Sequence, residues 1–151
     1  MKVVIQRVKQ ASVTINNELF SSVGKGYLLL VGFTDTDNET VINQLVKKIV
    51  ELRIWEDEQG KMNLPITSVN GSLLSVSQFT LYADCVKGRR PSFVQAAKAE
   101  VAKSLYELFN KKLKDTGLEV KTGVFQADMK VELINDGPVT IILDSKEVCK
   151  L

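Results

Sequence analysis

The run Tyr27-Leu28-Leu29-Leu30-Val31-Gly32-Phe33 is apolar at almost every position. That is the length of a strand, and a strand apolar on both faces leaves no side for water. It predicts the buried middle of a sheet. What precedes it suits neighbouring strands. Lys2 to Val8 and Ser12 to Ile15 alternate in polarity, and Asn16-Asn17 predicts a hairpin into Leu19 to Val23. Gly24 and Gly26 then bracket a turn.

Helical periodicity follows. Thr36-Asp37-Asn38-Glu39 has the form of a capping box, and Ile42, Leu45, Val46, Ile49 and Leu52 recur at helical spacing behind it. Arg53 to Glu56 and Lys61 to Leu64 read as extended pieces around a turn at Asp57 to Gly60. Asn70-Gly71 delivers the chain into a long strand, Ser72 to Leu81. Ser92, with Gln95 three residues on, predicts the start of a second helix with Val94, Ala97, Val101, Leu105 and Leu108 as its apolar stripe and Gly117 as its end. The remainder reads as strands at Leu118 to Thr122, Met129 to Leu133 and Val139 to Leu143. The expected class is α+β: a mainly antiparallel sheet with two helices packed on one side.

A chain of 151 residues is the size of one domain and can bury about two thirds of its unfolded surface, so a single domain over residues 1–151 is expected. The 44% hydrophobic and 25% charged fractions exclude disordered and collagen-like classes, and a net charge of +2 selects no partner. The longest apolar runs are strand-sized, and the segment Met1 to Arg7 lacks a signal-peptide core. A cytoplasmic protein with no membrane partner is expected. Cys85 and Cys149 have no zinc-like spacing and read as free thiols.

The chain contains no histidine. This removes Ser-His-Asp and Cys-His catalysis and the histidine-based zinc motifs. Gly24-Lys25-Gly26 precedes a strand rather than a helix, which fails the context test for a phosphate loop. Neither a metal nor a cofactor is expected. There remains a cluster of hydroxyls and amides in Ser77-Gln78-Phe79-Thr80-Leu81-Tyr82-Ala83-Asp84. Ser77, Gln78 and Thr80 could present donors to an ester carbonyl, or they could simply occupy the solvent face of a strand. Asn135-Asp136-Gly137-Pro138 reads as a hairpin turn, and its four residues by themselves demand nothing more. Lys87-Gly88-Arg89-Arg90-Pro91-Ser92 is a basic loop, equally suited to solvent or to a phosphate backbone.

Taken together, Ser77 to Asp84 and Asn135 to Thr140 resemble the two signature segments of the D-aminoacyl-tRNA deacylases. Met1 to Val8, Met62 to Pro65, Gly88 to Phe93 and Gly123 to Met129 resemble further family segments in the same order. The resemblance runs from Met1 to Leu143; the tail, Asp144 to Leu151, adds nothing to it. It implies a barrel-like α+β fold and hydrolysis of the ester between a D-amino acid and the 3′ end of tRNA, without a cofactor. Ser77, Gln78, Phe79 and Thr80 are the implied catalytic segment, with backbone N–H groups around Phe79 and Thr80 as oxyanion donors. A second mechanism would make the Thr80 hydroxyl a nucleophile.

The resemblance also implies a homodimer in which Gly137 and Pro138, joined by a cis peptide, reach into the facing subunit's site. There their carbonyl groups would crowd an L-aminoacyl side chain. Glycyl-tRNA is then an expected second substrate. Lys87, Arg89 and Arg90 are candidate tRNA contacts, and Arg7, Phe125 and Met129 candidate supporting residues; no DNA partner is expected. Two alternatives stand beside this reading: a non-catalytic tRNA-binding homodimer on the same fold, and a deacylase of relaxed chirality acting on L-alanyl mischarged tRNA.

Overall fold

The computed structural model describes residues 1–149; Lys150 and Leu151, the end of the uninformative tail, lie outside the described residues. The elements are β1 (Lys2–Ile15), β2 (Glu18–Val23), β3 (Gly26–Gly32), α1 (Glu39–Glu51), β4 (Trp55–Glu56), β5 (Met62–Leu64), β6 (Ser72–Ser77), α2 (Ala99–Asp115), β7 (Val120–Thr122), β8 (Lys130–Asp144) and the single-turn α3 (Ser145–Val148), with 3-10 turns at Ile66–Val69 and Phe79–Tyr82. The main sheet runs β2-β1-β3-β6-β7, with β8 also paired to β1. Pairings made by β1 are antiparallel, whereas β3-β6 and β6-β7 are parallel. The sheet is therefore mixed. It curls until its two edges meet, where the Ser21 hydroxyl of β2 donates to the Thr122 carbonyl of β7 at 2.8 Å.

This curling explains why β3 is apolar on both faces. Tyr27, Leu29 and Val31 join the core against the helices, with Ile42, Leu45, Ile49, Phe109 and Leu113. On the other face Leu28 packs inside the barrel with Val8, Val13, Val23, Leu74 and Val76. The Asn16-Asn17 hairpin is present, both asparagines having left-handed φ, and β1 and β2 pair around it.

Four sequence expectations need correction. Helix α1 is capped by Asn38, whose Oδ1 accepts from the Val41 N–H at 3.1 Å, and not by Thr36. Helix α2 starts at Ala99 and not at Ser92, because the Ser92 backbone is paired with Asp84 at 2.7 and 2.8 Å. Its buried stripe is accordingly Ala102, Tyr106, Phe109 and Leu113, while Val94 is 89% exposed. The strand expected to reach Leu81 stops at Ser77, and the chain tightens into the Phe79–Tyr82 turn.

The fourth concerns Asn135 to Pro138, which is no hairpin. β8 runs straight on beside β1: Gln6 pairs with Thr140 and Val8 with Asn135, so Arg7 alone faces Asp136, Gly137, Pro138 and Val139. The surplus residues leave the ladder as a bulge. Asn135 pinches its base, its Oδ1 accepting from the Val139 N–H at 2.8 Å and its amide donating to the Thr140 hydroxyl at 3.0 Å. Among the described residues no helix is long and apolar enough to cross a membrane.

Candidate active site

The parallel pairing of β3 and β6 ends with Val31 opposite Ser77, and the Gln78 N–H donates to the Val31 carbonyl at 2.7 Å. Immediately beyond, the chain turns. Gly32 permits the close approach: a Cβ there would lie 3.0 Å from the Gln78 carbonyl oxygen and 3.2 Å from the Leu81 Cβ. Within the turn the Leu81 N–H returns to the Gln78 carbonyl and the Ala83 N–H to the Thr80 carbonyl. The first N–H groups of any helical turn have no partner inside it. Here those of Phe79 and Thr80 have no acceptor among the described residues.

Ser77, Gln78 and Phe79 line a cavity of about 870 Å³. Its other walls include Val31 to Phe33, Phe93, the alanines just before and within the first turn of α2, and the segment Phe125 to Met129. The Phe79 and Phe93 rings meet edge to face at 5.0 Å, and Phe125 stacks obliquely on Tyr106 at 6.1 Å. Tyr106 anchors this wall from behind, its hydroxyl donating to the Ser75 carbonyl at 2.7 Å. Burial raises its pKa, so it remains a neutral donor. Thr80 is exposed and lies outside the cavity lining; its hydroxyl accepts from the Gln78 side-chain amide. No carboxylate or amine stands within hydrogen-bond distance of that hydroxyl among the described residues.

Arg7 serves a different place. Though only 3% exposed, its guanidinium donates to the Asp136 carbonyl at 2.9 Å and the Ile54 carbonyl at 2.7 Å, approaches Glu56 at 3.4 Å and lies over the Trp55 ring. It thus clamps the β8 bulge. Gly137 and Pro138 are exposed at the tip of that bulge, joined by a cis peptide, and neither lines the cavity of its own chain. Lys87, Arg89 and Arg90 project from a loop closed by the Asp84–Ser92 pairing, directly before the cavity residue Phe93.

The structure therefore brings Ser77, Gln78, Phe79, Phe125 and Met129 to one cavity, sets Thr80 at its rim, and separates Gly137, Pro138 and Arg7 from it. Sequence reasoning missed Phe93, Gln126 and the alanines, which look like ordinary helix or loop residues until the fold joins them. Among the described residues no cluster of His, Cys, Asp or Glu could hold a metal ion. Cys85 is exposed and Cys149 buried, neither in the cavity.

Residues 4–144 match the family model described as D-Tyr-tRNA(Tyr) deacylase. The chain belongs to that family. A D-aminoacyl-tRNA deacylase of Exiguobacterium sp. AT1b is 55% identical over 144 residues, covering 95% of this chain and 98% of that protein. One from Limosilactobacillus reuteri is 56% identical, with 95% and 99% covered. Among solved structures, one titled c-Myc DNA Unwinding Element Binding Protein superposes with a TM-score of 0.90 at 40% identity, covering 95% of this chain and 98% of that one. Another, of a probable eukaryotic D-amino acid tRNA deacylase, gives 0.82 at 18% identity over 94% and 97%, a likeness of fold. The deacylase family's fold is thus the α+β barrel described above.

Proposed function

We propose that this protein hydrolyses the ester between a D-amino acid and the 3′-terminal adenosine of tRNA, releasing free D-amino acid and tRNA. The observation that carries the reading is the pair of N–H groups of Phe79 and Thr80, without an acceptor among the described residues, beside a cavity large enough for an aminoacyl-adenosine. Water adds to the ester carbonyl, whose oxygen takes up negative charge within reach of those donors. Collapse expels the ribose oxygen, which leaves with a proton. An aminoacyl ester is already activated, and the neighbouring 2′-hydroxyl can orient the water, so a chain without histidine suffices. The Thr80 hydroxyl is not the nucleophile in this account, for among the described residues it has beside it no base of the kind that a hydroxyl nucleophile needs.

The catalytic unit is a homodimer of single-domain chains. The Gly137-Pro138 bulge is exposed and stands outside its own cavity, which supports a role in the facing one. There the carbonyl groups of Gly137 and Pro138 of the partner subunit would crowd an L-side chain. Glycine has nothing to crowd, making glycyl-tRNA a second substrate. Lys87, Arg89 and Arg90 hold the tRNA backbone, and the substrate sets the cellular address as the cytoplasm. The test is deacylation of matched D- and L-tyrosyl-tRNA and of glycyl-tRNA. Cleavage of the D and glycyl esters with survival of the L ester is expected. Equal rates on both hands would overturn stereospecific rejection, and no cleavage of any would overturn the enzyme reading.

A further inference from the structure

The cavity wall contains a residue in a backbone conformation that its side chain does not favour. The Ala127 N–H closes a turn onto the Val124 carbonyl at 3.1 Å, and Gln126, at the third position of that turn, has φ of 65°. Glycine adopts this region freely, whereas a side chain with a Cβ is strained there. Non-glycine residues held in the left-handed region gather at ligand-binding rims, where the side chain has work that offsets the strain. Gln126 lines the cavity, is exposed to it, and has no side-chain hydrogen bond to any described residue. The other long polar side chains of the lining are engaged: Gln78 with Thr80, and Asp128 with Lys130 at 3.2 Å. Gln126 is the lining amide with both its donor and its acceptor available.

We propose that the Gln126 side chain binds the base edge of the 3′-terminal adenosine, its amide N–H donating to N7 and its carbonyl accepting from the N6 amino group. This rests on the deacylase reading of the same cavity. A planar carboxamide matches adenine's adjacent acceptor and donor, a pairing recurrent in nucleic-acid recognition. The surroundings suit a base. Phe93 and Phe125 offer aromatic surfaces for stacking, and Ala96, Ala97, Ala99 and Ala102 leave room for a flat ring. Gln126 is thus a binding residue that holds the ester's nucleoside, separate from the N–H groups that hold its carbonyl.

Gln126→Gly tests this, because strain and recognition then move in opposite directions. Glycine suits the turn, so Tm should hold or rise. KM for D-tyrosyl-tRNA should nevertheless increase at least about fivefold, and by more than kcat falls. A second substrate isolates the base edge: D-tyrosyl-tRNA ending in 7-deazaadenosine, which lacks N7. The unmodified protein should show a raised KM on that substrate, and Gln126→Gly should show no further penalty. An unchanged KM in Gln126→Gly, or equal deaza penalties in both proteins, would overturn the assignment. A lower Tm would overturn the strain argument. Failure of the unmodified protein to cleave ordinary D-tyrosyl-tRNA would instead defeat the deacylase reading, so the two failures are distinct.

Discussion

The Nε of Arg7 donates to the carbonyl oxygen of Asp136 at 2.9 Å, joining a residue of β1 to the bulge of β8 that lies opposite it. The same guanidinium reaches Ile54 and Glu56 beside Trp55, so the bulge is braced against the β4-β5 hairpin. If the bulge polices chirality in the facing subunit, Arg7 sets its position without touching substrate. Arg7→Lys keeps the charge but not the fork of donors needed for these acceptors. We expect the preference for D- over L-tyrosyl-tRNA to fall at least about tenfold while D-hydrolysis persists, and stability to drop by about 1–3 kcal/mol. Rates on the two hands, with denaturant unfolding, check both.

Thr80 separates the two chemical routes. Its hydroxyl lies outside the cavity lining and is bonded by Gln78, so Thr80→Val should retain much of the activity. A substrate with a 2′-deoxy terminal adenosine should lose most of it. Nucleophile loss costs several orders of magnitude in other enzymes. A folded but dead Thr80→Val protein, or an aminoacyl ester trapped on Thr80, would replace the water mechanism with a covalent one.

The basic loop makes a prediction about salt. Replacing Lys87, Arg89 and Arg90 with alanine should raise KM for D-tyrosyl-tRNA and flatten the slope of log KM against log salt by about 2 to 3. Hydrolysis of D-tyrosyl-adenosine, which has no tRNA backbone to hold, should be unaffected. These side chains are exposed, so Tm should not move.

For the fold, Phe109 is the informative position. Fully buried on α2 and edge-on to Phe33, it joins the helix to the end of β3 where the cavity begins. Phe109→Ala should cost about 3–5 kcal/mol, read by chemical denaturation.

What the sequence disclosed divides along physical lines. The buried strand at Tyr27 to Val31 was legible because burial on both faces leaves a compositional mark that needs no partner to be seen. The Asn16-Asn17 hairpin was legible because its turn chemistry is local. The start of α2 was not, since Ser92 carries a cap signal that a pairing with Asp84 overrides. The bulge at Asp136 to Val139 was hidden for a similar reason: its residues spell a hairpin, and only the register against Gln6 and Val8 makes them protrude. Within the site, Ser77 to Thr80 looked like the end of the long strand that Asn70-Gly71 opens, and the N–H groups without an acceptor among the described residues emerge from the 3-10 turn that replaces it. The left-handed backbone of Gln126 could not be read, because glutamine is no turn residue.

The most direct test of the central claim uses a dimer with one Gln78→Ala chain and one Pro138→Ala chain, isolated through two different tags and assayed on D- and L-tyrosyl-tRNA. With a Gln78→Ala homodimer, altered in the cavity lining, cleaving neither ester as the control, the one working cavity of the mixed dimer belongs to the chain with intact Gln78 and faces the intact bulge of the other. The account predicts cleavage of the D ester with survival of the L ester, while the Pro138→Ala homodimer cleaves both. Cleavage of the L ester by the mixed dimer, at half the rate of that homodimer, would show that each cavity uses its own chain's bulge and would contradict the account.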